Sequence, residues 1–245
     1  MGLDRSSAPQ STRYDFAMRR YVLTALLLAA MQTDPYADAR ARMVERQIAA
    51  RGVTDPRVLT AMRTVLRHRF VDRTQASNAY DDRPLPIGHG QTISQPYIVA
   101  YMTELLRLQP GAKVLEVGTG CGYQAAVLGE IAREVYTIEI VKPLADCATK
   151  VLKDLGYVNI HVRHGDGYGG WPDHAPFDGI VVAAAPDHVP AALVAQLAVG
   201  ARLVIPVGDA DQEIRVITKT ASGQREERLI PVRFVPLTRD VREQD

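Results

Sequence analysis

Three glycines, Gly118, Gly120 and Gly122, follow the β-branched run Lys113 to Val117 and precede a helical window near Tyr123 to Ala132. A strand that turns through glycines into a helix lets a ligand approach the backbone, and a helix N-terminus favours a carboxylate or phosphate there. A dinucleotide fingerprint, G-x-G-x-x-G, would need glycine where Tyr123 stands, so the spacing excludes it. Starting at Glu116 the sequence reads E-x-G-x-G-x-G instead. Glu139 ends the next run, about 20 residues on, where a carboxylate can accept both hydroxyls of a ribose. After a third run comes Gly165-Asp166-Gly167, which puts Asp166 where it can receive an adenine amino group. Three consecutive strand ends thus carry glycine, acid and acid-glycine, the arrangement of a nucleotide-like ligand at the carboxyl edge of an open sheet.

Such a site needs strands and helices in alternation, and the sequence supplies them. Short β-branched runs at Lys113 to Val117, Val135 to Glu139, Ile160 to Arg163, Phe177 to Val182 and Arg202 to Pro206 are separated by helical windows near Tyr123 to Ala132, Lys142 to Leu155 and Pro190 to Leu197. Crossovers between parallel strands require helices, so the order predicts a doubly wound, mostly parallel α/β sheet. Glu213 to Thr220 and Glu226 to Val235 flank Ser222-Gly223 and predict an antiparallel hairpin at the sheet edge. Upstream, two helices are expected, one from Tyr36 to Arg51 ending at Gly52, the other capped by Asp55-Pro56 with an apolar stripe at Val58, Leu59, Met62, Val65 and Leu66. Their many arginines read mostly as solvated faces. Tyr80 to Gln95, with Pro84, Pro86, Gly88 and Gly90, reads as a long irregular loop.

The 245 residues carry a formal charge of +1 and are 47% hydrophobic, which excludes nucleic-acid binding by bulk charge and a disordered chain. Cys121 and Cys147 alone make no disulfide framework, and no Cys/His cluster has zinc spacing. Met18-Arg19-Arg20 precede an apolar run, Tyr21 to Met31, in the order of a secretory signal but too short to span a bilayer. The best cleavage site, Ala37-Asp38-Ala39, falls inside the next helix. Residues 1–33 are therefore expected to be a leader, and 34–245 one domain: a helical and loop region at 34–95, a cofactor-binding core at 96–210 and C-terminal strands at 211–245.

The Glu116 to Gly122 loop resembles the first motif of class I S-adenosylmethionine-dependent methyltransferases. Asp82-Arg83-Pro84-Leu85-Pro86-Ile87-Gly88-His89-Gly90-Gln91-Thr92-Ile93-Ser94-Gln95-Pro96 is similar to the signature of protein-L-isoaspartate O-methyltransferases. So are Arg67-His68-Arg69-Phe70-Val71, Gly165-Asp166-Gly167-Tyr168, Ala184-Ala185-Pro186 and Arg233-Phe234-Val235-Pro236-Leu237-Thr238. That resemblance implies methyl transfer from S-adenosylmethionine to the α-carboxylate of an isoaspartyl residue in a damaged protein, giving an ester that cyclises unaided to a succinimide. It implies Ser94 as the catalytic residue. Cofactor contacts map to Thr92, Ile93, Ser94, Glu116, Gly118, Gly120, Gly122, Glu139, Asp166, Gly167 and Thr238, and substrate contacts to Ser94, Val235 and Leu237, with the Val235-Pro236-Leu237 strand pairing with the peptide backbone. No metal, nucleic acid or stable membrane association is expected, and the chain is expected to act as a monomer. S-adenosylmethionine is a cytosolic metabolite, so the cytoplasm is the expected compartment; export is the alternative if Met18 to Met31 acts as a signal.

The chemistry suits so small a set of residues. An α-carboxylate with an intrinsic pKa near 3.5 is ionised at neutral pH and needs no general base. Attack of an anion on a sulfonium annihilates both charges, so a dry site holding the atoms in line lowers the barrier. The Ser94 hydroxyl can aim one carboxylate oxygen, and Ser94 also reads as the N-cap of a helix holding Pro96, Val99, Met102, Leu105 and Leu106. His68, His161, His164, His174 and His188 read as scattered residues without partners, His89 as part of the signature loop, Cys121 as no nucleophile, and Tyr168 and Trp171 as a lid or packing over the cofactor. Two other readings compete. One is a class I methyltransferase acting on RNA or a small molecule; amino-group methylation of bases would show an acid-Pro-Pro-aromatic motif after the fourth strand, where Ala183-Ala184-Ala185-Pro186 stands. A non-catalytic binder would be expected to have lost Ser94, Glu139 or the loop glycines.

Overall fold

The computed structural model describes residues 34–239. The expected leader, 1–33, with its apolar run, lies outside the described residues. The chain divides after Asp38; before that point Asp34 caps a turn through its carboxylate and carbonyl, to the amides of Tyr36 and Ala37. Among the described residues no helix is long and apolar enough to cross a membrane.

The first helical region changes winding along its length. Helix α1 (Ala37–Arg42) gives way to a π-helical stretch, Met43–Ile48, and a 3₁₀ turn, Ala49–Arg51, and stops at Gly52 with φ +94°. Asp55 caps α2 (Pro56–Thr64) by accepting from the Arg57 amide, and Pro56 occupies the first turn as its fixed φ favours. Arg67 departs from the solvated-arginine reading. It is fully buried, donates Nε to the Ala79 carbonyl at 2.7 Å, and lies 4.7 Å over the Tyr123 ring.

The loop expected between Tyr80 and Gln95 contains a small antiparallel hairpin, β1 (Leu85–Gly88) with β2 (Gln91–Ile93). Its strands are too short, and too interrupted by Pro86, to show a period in sequence. Helix α3 (Pro96–Leu105) follows, and its N-cap is Gln95, without a side-chain bond. The expectation that Ser94 caps this helix is thus corrected: the helix starts at Pro96, one residue too late for Ser94.

A seven-stranded sheet, β5-β4-β3-β6-β7-β8-β9, carries everything else. Its strands are β3 (Lys113–Val117), β4 (Glu134–Glu139), β5 (Ile160–His164), β6 (Phe177–Val182), β7 (Leu197–Val207), β8 (Gln212–Thr220) and β9 (Gly223–Val232). Pairing is parallel from β5 to β7 and antiparallel from β7 to β9. Helices α4 (Tyr123–Gly129), α5 (Lys142–Asp154) and α6 (Ala191–Ala195) make the crossovers. Strand alternation divides the core in two. Leu115, Val117, Ile138, Val182 and Ile205 pack with Leu193 of α6, whereas Val114, Val135, Val181 and Val204 pack with Met102 and Leu106 at the end of α3 and Leu128 of α4.

Among the boundaries that differ from expectation, two stand out. Strand β7 begins at Leu197, five residues before the run that marked it, because Ala198 to Ala201 carry no apolar period. Strand β9 ends at Val232, so Val235-Pro236-Leu237 is not its continuation. A single parallel bridge joins Pro236 to Ala185, with the Ala185 amide donating to the Val235 carbonyl and the Leu237 amide donating to the Ala185 carbonyl, each at 2.8 Å.

Candidate active site

Order in the sheet reverses between β3 and β6, and a crevice opens there at the carboxyl ends of the strands. The glycine loop leaves β3 with the Gly118 and Thr119 amides bonded to the Ile138 carbonyl at 2.8 and 3.2 Å. Gly122 donates back to the Thr119 carbonyl at 2.8 Å, and Gly120 to Glu139 Oε2 at 2.7 Å. Four loop amides are therefore satisfied from within.

Gly120 has φ +53°, and a Cβ there would stand 3.2 Å from Ile87 Cδ1, so the loop and the β1–β2 hairpin touch where glycine allows it. Gly167 is required for space alone, since its Cβ would meet Val117 Cγ1 at 2.3 Å.

Both oxygens of Glu139 are engaged, Oε2 by Gly120 and Oε1 by the Val141 amide at 2.9 Å, and the residue is 5% exposed. Each oxygen keeps a second lone pair for a ligand hydroxyl. One strand away Glu116 is fully buried. Its Oε2 accepts from the Thr137 hydroxyl, which in turn lies 2.6 Å from the Thr119 hydroxyl, while Oε1 has no partner among the described residues. Burial, helped by the neighbouring Glu139 carboxylate and opposed by the Thr137 bond, pushes its pKa up to about 8.

The crevice encloses about 820 Å³ of space free of protein atoms, its open mouth included. Thr92, Ile93, Ser94, Glu116, Gly118, Gly120, Glu139, Gly167, Val235, Leu237 and Thr238 all line it. Gly122 stands behind the loop as the cap of α4. Asp166 is exposed beside the lining, with Oδ1 accepting from the Tyr168 amide at 2.8 Å. The lining contains two glutamates and neither lysine, arginine nor histidine. An acidic cavity with satisfied amides and an orphaned carboxylate oxygen fits a cationic ligand with a ribose diol, and S-adenosylmethionine has both features.

A second, more open groove adjoins the first and shares Thr92, Ser94, Ala183 and Val235 with it. Tyr97, Ile98, Ile230 and Phe234 line it, with Arg51 and Arg233 among its other residues. Arg51 stacks 3.4 Å from the Tyr97 ring centroid and pairs with Asp82 at 2.9 Å. Gln212 fixes the C-terminal wall, donating to the Phe234 carbonyl and accepting from its amide. Sequence reasoning missed Arg51, Tyr97 and Gln212, because each acts across dozens of residues and none belongs to a local motif. Thr137 was missed too, although it stands directly across the sheet from Glu116.

Several expectations are corrected. Tyr168 and Trp171 are no lid on the cavity: Tyr168 donates its hydroxyl to the Leu237 carbonyl at 3.2 Å, and Trp171 packs edge-on against Tyr136. The histidines do have partners. His68 meets the Tyr80 hydroxyl, His161 Glu134, His164 the Ile140 carbonyl and His188 Asp187, while His174 stacks on Tyr136, and none of the five lines the cavity. His89 sits exposed at the hairpin tip with φ +52°. Burial pushes the Cys121 thiol up to about 11, which rules it out as a thiolate nucleophile at neutral pH.

A doubly wound sheet with an acidic, glycine-looped crevice at its switch point defines a class I methyltransferase. Residues 38–242 match the model of the family described as protein-L-isoaspartate(D-aspartate) O-methyltransferase. A protein-L-isoaspartate O-methyltransferase of Gloeobacter violaceus is 59% identical over 200 residues, 81% of this chain and 98% of that protein. A solved protein-L-isoaspartate O-methyltransferase superimposes with a TM-score of 0.75 at 28% identity, over 80% of this chain and 65% of that one. Another from Plasmodium falciparum, described as a putative enzyme of this kind in complex with S-adenosyl-L-homocysteine, gives 0.71 at 29% identity, over 81% and 97%. The chain belongs to the protein-L-isoaspartate(D-aspartate) O-methyltransferase family.

Proposed function

We propose that the crevice takes S-adenosylmethionine and that the adjoining groove takes an isoaspartyl peptide, with its α-carboxylate at Ser94. One observation carries this reading: Ser94 lines both spaces. Its hydroxyl also makes no hydrogen bond among the described residues. Glu139 takes the ribose hydroxyls, Gly118, Gly120 and Gly167 give the cofactor room, and Gly122 holds the loop. Asp166 has one carboxylate oxygen left for the adenine amino group. Thr92, Ile93, Leu237 and Thr238 wall the cofactor in.

When bound, S-adenosylmethionine supplies a methyl group on a cationic sulfur. The Ser94 hydroxyl donates to one oxygen of the substrate carboxylate and leaves the other facing the cofactor. No side chain has to remove a proton, because the nucleophile is already an anion. Ile93 and Val99, both buried in the lining, exclude water from the reacting charges. The Val235 carbonyl and Leu237 amide are bonded to Ala185, which fixes the Val235-Pro236-Leu237 segment beside the groove where it can meet the peptide.

An isoaspartyl residue carries its carboxylate one methylene nearer the main chain than an aspartyl residue does. A peptide held in the groove would displace an aspartyl carboxylate by about 1 Å or more, and such misplacement costs on the order of a hundredfold in rate. Incubation with methyl-labelled S-adenosylmethionine and paired peptides should label the isoaspartyl member and leave the aspartyl one almost unlabelled. Equal labelling would sink the reading. We further propose that the enzyme works in the cytoplasm, where its methyl donor is made, and as a monomer. An N-terminus cleaved after Ala29, Ala30 or Ala39 in the mature protein would overturn the first of these.

A further inference from the structure

Glu116 is a buried acid that the methyl transfer does not use. It has one oxygen on Thr137, and the other has no partner among the described residues. From β4 the Glu139 carboxylate faces it, and from the glycine loop the Cys121 thiol. The buried cation nearby, Arg67, acts on Cys121 and Tyr123, and no positive side chain among the described residues lines the crevice. An acid placed there has every reason to hold a proton while the crevice contains only water, and to lose it when a positive charge arrives.

Resting on the cofactor assignment above, we infer that Glu116 distinguishes the cationic methyl donor from the demethylated product. It is protonated in the free enzyme, releases that proton to solvent when S-adenosylmethionine binds, and takes one back when the sulfur has become neutral. No covalent bond of the ligand changes in the binding step; the proton passes from the Glu116 carboxyl to buffer. The hydroxyl chain gives the exchange a path of small motions. With Glu116 neutral, its O–H donates to Thr137 and Thr137 to Thr119; with Glu116 ionised, both hydroxyls turn and donate the other way. The 2.6 Å contact between the two threonines suits either direction.

Calorimetry on the full chain near pH 7, in buffers of low and high ionisation enthalpy, counts the protons released. S-adenosylmethionine should expel most of one proton, and S-adenosylhomocysteine far less. Glu116→Gln should expel none with either ligand and lower the ratio of donor to product affinity by about tenfold, the linkage expected for one pKa unit. Glu116→Asp should restore part of the release. Equal proton counts for both ligands, or an undiminished count in a folded Glu116→Gln protein, would overturn the inference. The wild-type enzyme provides a check that needs no variant. Donor affinity should rise with pH up to about pH 8, by as much as about tenfold per unit, while product affinity stays nearly flat. Parallel profiles would refute it. Failure of either ligand to bind at any pH would overturn the cofactor assignment, and the inference with it.

Discussion

The crevice and the groove meet at Ser94 but are built in different ways. On the cofactor side Glu116, the loop glycines, Glu139 and Gly167 lie at the ends of parallel strands or in the turns after them, and their positions follow from sheet register: Glu116 lies across from Thr137, and the Gly118 amide bonds the Ile138 carbonyl. The groove, the proposed substrate side, is assembled from the end of the first helical region, a short hairpin and the irregular segment after β9, tied together by single contacts such as Arg51 on Tyr97 and Gln212 on Phe234. Cofactor chemistry is thus fixed by backbone geometry and tolerates little change. The groove proposed for the peptide rests on separable side-chain contacts, each worth less.

The comparison is most exposed to attack at Gly120. Valine there must adopt a positive φ that β-branched residues rarely reach, and must push on Ile87. Gly120→Val should weaken S-adenosylmethionine binding by about a hundredfold or more, two or three kcal/mol of strain and lost space. Calorimetry alongside circular dichroism checks it, and full affinity in a folded variant would mean that the loop is not the ligand site. Glu139→Ala comes next. Its carboxylate organises the Gly120 and Val141 amides as well as facing the ligand, and a hydrogen bond to a charged group is worth roughly 1.5–3 kcal/mol. A loss of about tenfold to a hundredfold in cofactor affinity is expected, with Glu139→Gln intermediate. Unchanged affinity would remove the ribose assignment.

The same contrast explains what the sequence disclosed. Glu116, the three loop glycines and Glu139 fall within 24 residues of one strand-turn-helix-strand unit, so periodicity and glycine spacing locate them directly. The parallel core strands were legible for the same reason: being buried on both faces, they read as continuous apolar runs. What stayed hidden was long-range or sub-periodic. A hairpin with strands of four and three residues has no measurable alternation, and Arg51 meets Tyr97 only through tertiary folding. Arg67 was assigned to solvent with its neighbours because nothing local marks a guanidinium that will be sealed against Tyr123. The end of β9 was overrun because Arg233 to Val235 keep a strand-like composition after the ladder has stopped.

Ser94 tests the junction between the two regions. With the helix capped at Gln95, loss of the hydroxyl should not disturb α3, so Ser94→Ala isolates its role toward the substrate. Turnover on an isoaspartyl peptide should fall by about tenfold, the value of one neutral hydrogen bond made best in the transition state, while cofactor affinity stays within about twofold. A Ser94→Ala enzyme with full turnover would move orientation of the carboxylate to another group in the shared lining.

Arg51 should give the smallest effect and the sharpest reading of the groove. Its pair with Asp82 is largely exposed, 43% and 32% for the two side chains, and contributes little by itself. The stack on buried Tyr97 is the stronger contact, of order 0.5–1 kcal/mol at a site open to water. Asp82 also offers its carbonyl to Gln95 Nε2 at 3.1 Å, so Arg51 steadies both the start of the hairpin segment and the approach to Ser94. Arg51→Ala should therefore raise KM for an isoaspartyl peptide by about threefold, the kinetic equivalent of that stacking energy, with kcat and cofactor affinity nearly unchanged. Arg51→Lys, which keeps the charge but loses the planar stack, should recover only part of the loss. A KM equal to wild type in both variants would mean that the peptide does not lie along this groove, and that the substrate region reduces to Ser94 and its immediate neighbours.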